Sequence, residues 1–338
     1  MSRPRAFVLG TGLLGSSVGF ALRRQGWNVS GWDPETEVLE QAAKRGAIEG
    51  LMDGPDPENA DLVVLAAPPD AVAITLGKLN TDSLVTDVSS VKSPIVAAAR
   101  HLAHFVGGHP MAGGETSGPE MASSSMFQGA TWVLTTDGVD VADLARMREI
   151  VTSFGANPIE MTAAEHDMAV ARVSHLPHVL AAVLLNLVQD DPATLALAGG
   201  GFRDLTRIAA GQSGWWSEVL TANADQVTAS IESLDAALEK WKTASKTDLA
   251  GLLESARQAR LGLGEHNTQV RVVLVDEPGE IARVGHALEQ SRVDVRDFQL
   301  RHGEHGGGGV LTISVRGEGK DALTMALLDE GFEVRVDA

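Results

Sequence analysis

AFVLGTGLLGSSVGFALRRQGWNVSGWD, from Ala6 to Asp33, decides the fold. Ala6 to Gly10 reads as a short buried strand and runs into the turn Gly10-Thr11-Gly12-Leu13-Leu14-Gly15. Ser16 to Gln25 is apolar with helical periodicity and stops at Gly26, and Asn28 to Asp33 is a second strand ending in an acid. Strand, G-x-G-x-x-G, helix, strand and acid within about 30 residues is the context that a dinucleotide-binding turn requires. Gly10 makes the tight turn, Gly12 lets the backbone approach a pyrophosphate on the helix N-terminus, and Gly15 lets helix and strand pack closely. Asp33 is placed to accept hydrogen bonds from a ribose diol. Its carboxylate would repel a 2′-phosphate, and the following Pro34 and Glu35 bring no arginine, so NAD is favoured over NADP.

Outward from this unit the alternation continues. Asp61 to Pro69 is a strand closed by a Pro-Pro turn, and Ser83 to Ser90 is a strand carrying Asp87, Ser89 and Ser90 at its end. Next comes VGGHPMAGGETSG, Val106 to Gly118, read as a loop holding one histidine, His109, with Glu115 close behind and no cysteine or lysine in reach. Ligands of open parallel sheets bind beyond the carboxyl ends of the strands. Pro68, Ser90 and His109 are therefore expected on one rim, with His109 beside the reactive ring of the dinucleotide.

After a strand at Ala130 to Thr135 and a helix from about Val141 to Phe154, the composition shifts, and Ala164 to about Gly264 reads as amphipathic helix. His175 and His178 are three apart and share a face; core, capping and ligand-contacting roles are all open to them. A metal site is disfavoured, because the zinc helix places its histidines four apart with a glutamate beside the first. Arg207 lies three residues after Asp204, so the two are either a surface pair or the arginine is a bidentate clamp for a carboxylate. Of the adjacent Trp215 and Trp216, one at most lines a pocket and the other is expected in the core.

Composition excludes several classes. The 338 residues carry a formal net charge of -18, which argues against nucleic acid and anionic membrane surfaces. There is no cysteine, so disulfides, thiol nucleophiles and thiolate metal sites are excluded, in keeping with a reducing cytoplasm. Neither a signal-peptide core nor an apolar stretch of about 20 residues is read in the chain.

The segments GTGLLGSS, DVSSVKSPI, GHPMAGGETSG, HDMAVARVSHLPH and GGGFRDLTRIA, in that order, resemble the prephenate (or arogenate) dehydrogenase family, of the monofunctional bacterial type. The resemblance implies an NAD-dependent oxidative decarboxylation of prephenate to 4-hydroxyphenylpyruvate in tyrosine biosynthesis. It further implies His109 as the catalytic histidine, Ser90 as a serine orienting it, and Arg207 as the group holding a substrate carboxylate. His175, His178 and Trp216 match pocket residues, and Glu115 and Asp204 resemble gating acids. His178, where an acid would face the ammonium of arogenate, favours prephenate; arogenate and a 4-amino analogue of prephenate are the alternatives. A β-hydroxy-acid dehydrogenase and a non-catalytic NAD-binding sensor are the competing classes. A homodimer through the helical region is implied as well.

Thr268 to Ala338 reads as strand, helix, strand, glycine-rich hairpin, strand, helix, strand, the ferredoxin-like order. Its turn at Asp276, Pro278 and Gly279 resembles the ACT regulatory domain, which implies an aromatic amino-acid effector there; a dimerisation module without ligand is the other reading. The expected organisation is a Rossmann-type α/β domain over 1–163, an all-α substrate and dimerisation domain over 164–266, and an ACT-like domain over 267–338.

Overall fold

Ala6 to Leu9, four of the residues of β1 (Arg5–Leu9), are buried, as a strand covered on both faces must be. β1 enters α1 (Leu13–Arg24) through the glycine turn and returns in β2 (Asn28–Trp32). α2 (Thr36–Arg45), β3 (Gly50–Leu51), β4 (Leu62–Leu65), α3 (Pro69–Leu76), β5 (Leu84–Asp87), α4 (Ser93–Ala98) and β6 (Phe105–Val106) complete a parallel sheet ordered β3-β2-β1-β4-β5-β6. That order is the doubly wound, Rossmann-type one, with its reversal between β1 and β4. The computed structural model describes residues 3–57, 59–112, 118–262, 267–275, 277–302 and 309–336. The chain divides into two units, Met1–Ala237 and Leu238–Ala338.

The glycines of the turn do different things. Gly10 has φ +87°, and a Cβ there would fall 2.4 Å from the Ala66 carbonyl oxygen. A Cβ on Gly15 would fall 1.8 Å from the Gly10 oxygen, so helix and turn meet only because it is absent. Gly12 has nothing within 4 Å of its Cβ position. It faces open space at the start of α1, whose first turn has no side-chain cap.

His109 does not lie on a loop beyond the parallel strands, as the sequence suggested. It is the middle residue of a short strand, β7 (Gly108–Pro110), in a second sheet with β8 (Thr131–Thr135) and β9 (Asn157–Met161); α5 (Val141–Ser153) connects the last two. The glycines before it are what allow this. A Cβ on Gly107 would come 2.8 Å from Thr135 Oγ1, and one on Gly108 2.6 Å from the Asp87 carbonyl oxygen. Phe127, Trp132 and Phe154 pack edge-on and tilted beneath this sheet.

One helical run spans Ala163–Asn186: α6 (Ala163–Val170), a π-turn at Ala171–His175, and α7 (Leu176–Asn186). Thr162 and Glu165 form a capping box at its start. By length and composition alone the run is apolar enough to cross a membrane, a stretch the sequence reading had not recognised. Its burial is mixed, however. His166, Asp167, His175 and His178 are buried along with Val170, Ala171 and Ala181, while Met168, Val173 and Val183 are exposed. α8 (Pro192–Leu195), α9 (Gly200–Thr206) and α10 (Ser213–Ala222) follow, and α11 (Ala224–Thr243) starts in the first unit. α7 packs on α9 and on the 3-10 turn Arg207–Ala210.

The second unit contains α12 (Lys246–Gly262), then β10 (Asn267–Leu274), α13 (Glu280–Ser291), β11 (Val295–His302), β12 (Gly309–Arg316), α14 (Lys320–Asp329) and β13 (Glu333–Val336). Its antiparallel sheet is ordered β11-β12-β10-β13. Val270, Val272, Leu311 and Ile313 of the sheet bury against Val284 of α13 and Leu323 and Leu327 of α14.

The glycine geometry separates stability from binding. Gly15→Ala is expected to cost about 2–3 kcal/mol by forced overpacking. Gly12→Ala should leave the thermal midpoint within about 2 °C, the size of a surface change. Thermal unfolding of the two variants checks this; equal losses would contradict it.

Candidate active site

His109 is 9% exposed, and its ring has a single orientation because of what lies behind it. Its Nδ1 is 2.8 Å from Nε2 of His166, and Nδ1 of His166 is 2.8 Å from Oδ1 of Asp167. Asp167 is fixed in turn by the start of α4: its Oδ1 accepts from the Lys92 amide and its Oδ2 from the Ser93 amide, both at 2.7 Å. His166 and Asp167 are 0% and 2% exposed, so the chain of three groups is sealed from solvent. Burial works to raise the Asp167 pKa, but the hydrogen bonds from His166, Ser93 and Lys92 outweigh it and hold the carboxyl below its ordinary value.

Lys92 corrects the reading that no lysine is in reach of His109. Its side chain is fully buried, ion-paired to Asp87, and donates to the Gly108 carbonyl at 2.7 Å. Asp87 also accepts from the Gly108 amide at 3.1 Å and the Ser89 amide at 2.8 Å. Strand end, helix start and the His109 strand are thus tied around one buried pair. Removing one partner of such a pair costs about 3–5 kcal/mol, because the other is left uncompensated. Burial lowers the Lys92 pKa, against the opposing pull of Asp87.

For His109, burial first, with His166, Lys92 and His175 adding to it, pushes the pKa well below the ordinary value. It is a neutral imidazole at physiological pH. Burial likewise brings His175 down to about 4. Its Nδ1 lies 3.2 Å from Asn223 Nδ2, which also donates to the Asp167 carbonyl at 2.9 Å. His178, also lowered by burial, stacks on Trp216 with centroids 3.7 Å apart and planes at 14°. His178 Nδ1 is buried without a hydrogen-bond partner among the described residues. Gly211 completes this corner, since a Cβ there would lie 2.7 Å from Trp216 Nε1.

The structure therefore gathers His109, His175, His178 and Trp216 along the buried side of one helical run and the helix facing it. Ser90 sits half-buried two residues before Lys92. Arg207 heads the 3-10 turn against α7 and is exposed, as is Asp204. Trp215 is 40% exposed, so it is not the core residue expected; its ring meets that of Trp216 edge-on, with centroids 5.0 Å apart and planes at 82°. Glu115 and Asp276 lie outside the described residues. Lys92, Asp167 and Asn223, which the structure places around these groups, were not singled out in the sequence, where His166 was noticed only as a histidine on the same helical stretch as His175 and His178. The signal available was polarity in the wrong place, with His166-Asp167 and Lys92 each embedded in apolar periodicity.

The nucleotide side lies at the glycine turn. Asp33 Oδ2 accepts from the Thr11 amide at 2.7 Å, which pins the end of β2 to Thr11, and Leu13 and Leu14 open α1. Pro68 is the residue before α3, at the end of the neighbouring β4. The open space at Gly12, the uncapped amides of α1 and the acid at Asp33 fit a dinucleotide: pyrophosphate against the helix start and ribose near the carboxylate.

Residues 18–160 match the nucleotide-binding domain of prephenate dehydrogenase, and residues 162–256 match its dimerization domain. A prephenate dehydrogenase of Lactococcus lactis is 34% identical over 255 residues, 70% of each chain. One of Bacillus subtilis is 28% identical over 340 residues, 92% of each chain. Among solved structures, the A. aeolicus prephenate dehydrogenase in complex with hydroxyphenyl propionate and NAD+ is 28% identical. It covers 78% of this chain and 99% of its own, with a TM-score of 0.72.

The buried histidines give stability a pH dependence. An unfolded histidine titrates near ~6.5, whereas His175 titrates at about 4 in the fold. Between these values the unfolded chain binds a proton that the native chain does not, so stability falls as pH drops through that window. His109 and His178 act with the same sign; exposed His104, raised by Asp143, acts against them. The thermal midpoint is expected to fall from pH 6.5 to 4, and less steeply in His175→Gln. Parallel profiles would contradict this.

Proposed function

The chain belongs to the prephenate dehydrogenase family, and from that premise we propose that it oxidises and decarboxylates prephenate to 4-hydroxyphenylpyruvate with NAD as hydride acceptor, in tyrosine biosynthesis. The observation that carries the reading is His109. It is a buried imidazole kept neutral by its surroundings, in a chain whose relatives carry out this reaction. A general base must be unprotonated at working pH and within reach of the proton it takes. Bound NAD, held by the turn at Gly10, Gly12 and Gly15 and by Asp33, supplies the acceptor for the hydride leaving the carbinol carbon.

The chain's own residues do the rest. His109 takes the hydroxyl proton as the carbinol is oxidised, and loss of the ring carboxylate as CO₂ makes the ring aromatic. Ser90, beside the buried Asp87–Lys92 pair, is the group that orients hydroxyl and imidazole. Arg207 holds a substrate carboxylate, an assignment supported by its place on the turn packed against α7, three residues after Asp204. The unpartnered Nδ1 of His178, stacked on Trp216, supplies a neutral polar contact for the substrate side chain. A neutral group there suits a keto acid better than the ammonium of arogenate.

The apolar residues exposed on the Ala163–Asn186 run, Met168, Val173 and Val183, with Leu187 just after it, support a homodimer formed through this region. The second unit supports an ACT-like regulatory module of ferredoxin-like fold: its elements follow the order β-α-β-β-α-β. Gly279, at φ +99°, opens α13 beside Glu280, which is 8% exposed and has a carboxyl oxygen without a partner among the described residues. An amino-acid effector with its ammonium on Glu280, near Pro278, is the ligand this corner suits. The working compartment is the cytoplasm.

Assaying NADH formation by the purified protein with prephenate and with arogenate, each with NAD+ and NADP+, tests the reading. Turnover is expected with prephenate and NAD+; turnover of arogenate alone would overturn the side-chain argument, and none with either would overturn the function. Arg207→Ala should raise KM for prephenate about 10-fold or more with kcat little changed, the pattern of lost uniform binding. An unchanged KM would remove Arg207 from the carboxylate.

A further inference from the structure

We propose that His166 and Asp167 form a closed proton store behind His109. They fix its ring with Nδ1 protonated and Nε2 open, take up charge when the substrate hydroxyl is deprotonated, and let the proton return to the same oxygen. The inference deepens the reaction just described and rests on that reading for its substrate.

The tautomers follow from hydrogen-bond accounting, starting at the inner end. Asp167 accepts from the Lys92 and Ser93 amides and lies 2.8 Å from His166 Nδ1, a set of contacts that only an ionised, acceptor-only carboxylate satisfies. His166 Nδ1 must therefore carry hydrogen. Neutral His166 then presents a lone pair at Nε2, and His109 Nδ1, 2.8 Å away, must donate to it. That leaves Nε2 of His109 with its lone pair free on the far side of the ring, the protonation a general base needs. A buried carboxylate sets the tautomer of a catalytic histidine in Ser-His-Asp triads in the same way; here a second imidazole stands between.

The proton balance explains why the chain can be sealed. The hydroxyl proton goes to Nε2 of His109 while the Nδ1 proton of His109 passes to Nε2 of His166. The carbinol C–H bond breaks with its electron pair leaving as hydride to NAD+, and the O–H pair becomes C=O. The bond from the ring to its carboxylate then breaks, CO₂ departs, and that pair flows through the ring to the oxygen, which recovers its proton as a phenol. No proton is left over, so no path to solvent is needed, and none is offered by His166 at 0% and Asp167 at 2% exposure.

The neighbouring charges set the direction. Lys92, paired with Asp87, disfavours positive charge on His109. His166 instead has the Asp167 carboxylate against it. The transient imidazolium is therefore better placed on His166 than on His109. These two residues act through His109; they are positioning residues.

The test is ¹⁵N NMR of the full-length, histidine-labelled protein at neutral pH with NAD+ bound, assigned with His109→Gln and His166→Gln. Neutral rings with hydrogen on Nδ1 are expected at both His109 and His166. In Asp167→Asn the amide donates to His166, and both rings should switch to hydrogen on Nε2. kcat should then fall about 10²- to 10⁴-fold, by analogy with tautomer loss in triads, with KM and NAD+ affinity within about 3-fold, a loss confined to the transition state. His166→Gln keeps an acceptor toward His109. It should preserve the His109 tautomer yet lower kcat about 10-fold or more, toward the low end of a general-base contribution. Hydrogen on Nε2 of His109 in the unsubstituted protein would overturn the proposal, whether or not Asp167→Asn folds. So would either variant retaining full kcat. Absence of prephenate turnover in the unsubstituted protein would contradict the substrate reading alone, because the spectrum is recorded without catalysis.

Discussion

The Asp167 carboxylate holds the first unit in its working form. It ties the helical run to the nucleotide-binding sheet by accepting the two amides that begin α4, and it anchors the hydrogen-bonded chain that ends at His109. A buried carboxylate with these donors must stay ionised, and an ionised carboxylate dictates the protonation of everything bonded to it. Fold and chemistry therefore depend on one group. The Asp87–Lys92 pair is its counterpart on the sheet side, fixing the strand that bears His109 from below.

Burying so much polarity is costly unless every group is paired. The helical run from Ala163 to Asn186 buries its histidines and Asp167 together with Val170, Ala171 and Ala181, and His166, Asp167 and His175 find partners there, while His178 Nδ1 has none among the described residues. The π-turn at Ala171–His175 falls within this segment, between the relay residues and the stacked pair of His178 and Trp216. Widened turns of this kind are rare and concentrate at functional sites. The exposed apolar residues are part of what makes the segment apolar enough, by length and composition alone, to cross a membrane.

The nucleotide-binding half was legible because its information is local. Turn, strand and helix of the glycine loop are consecutive in the chain, and each glycine has a steric reason that can be stated before any coordinates. The tail was legible for the same reason, as short elements punctuated by Gly and Pro. The relay was not. His109 and His166 are 57 positions apart, and Lys92 and Asp167 are 75 apart. Nothing in the spacing of His166 distinguishes it from an ordinary helical histidine. Lys92 drew no reading of its own, because a lone lysine is almost always solvated. Trp215 misled because two adjacent aromatics on a helix invite one to be assigned to the core.

The pH dependence of kcat/KM for prephenate, measured with saturating NAD+, tests most directly whether a desolvated His109 is the base. Such a profile reports the ionisation of the enzyme before substrate binds. With His109 held well below its ordinary value by burial, kcat/KM should stay level from neutral pH down through about pH 6 and fall only at distinctly lower pH. A loss of activity centred near the free imidazole value of about 6.5 would show a solvated base, and would contradict the sealed site on which the mechanism rests.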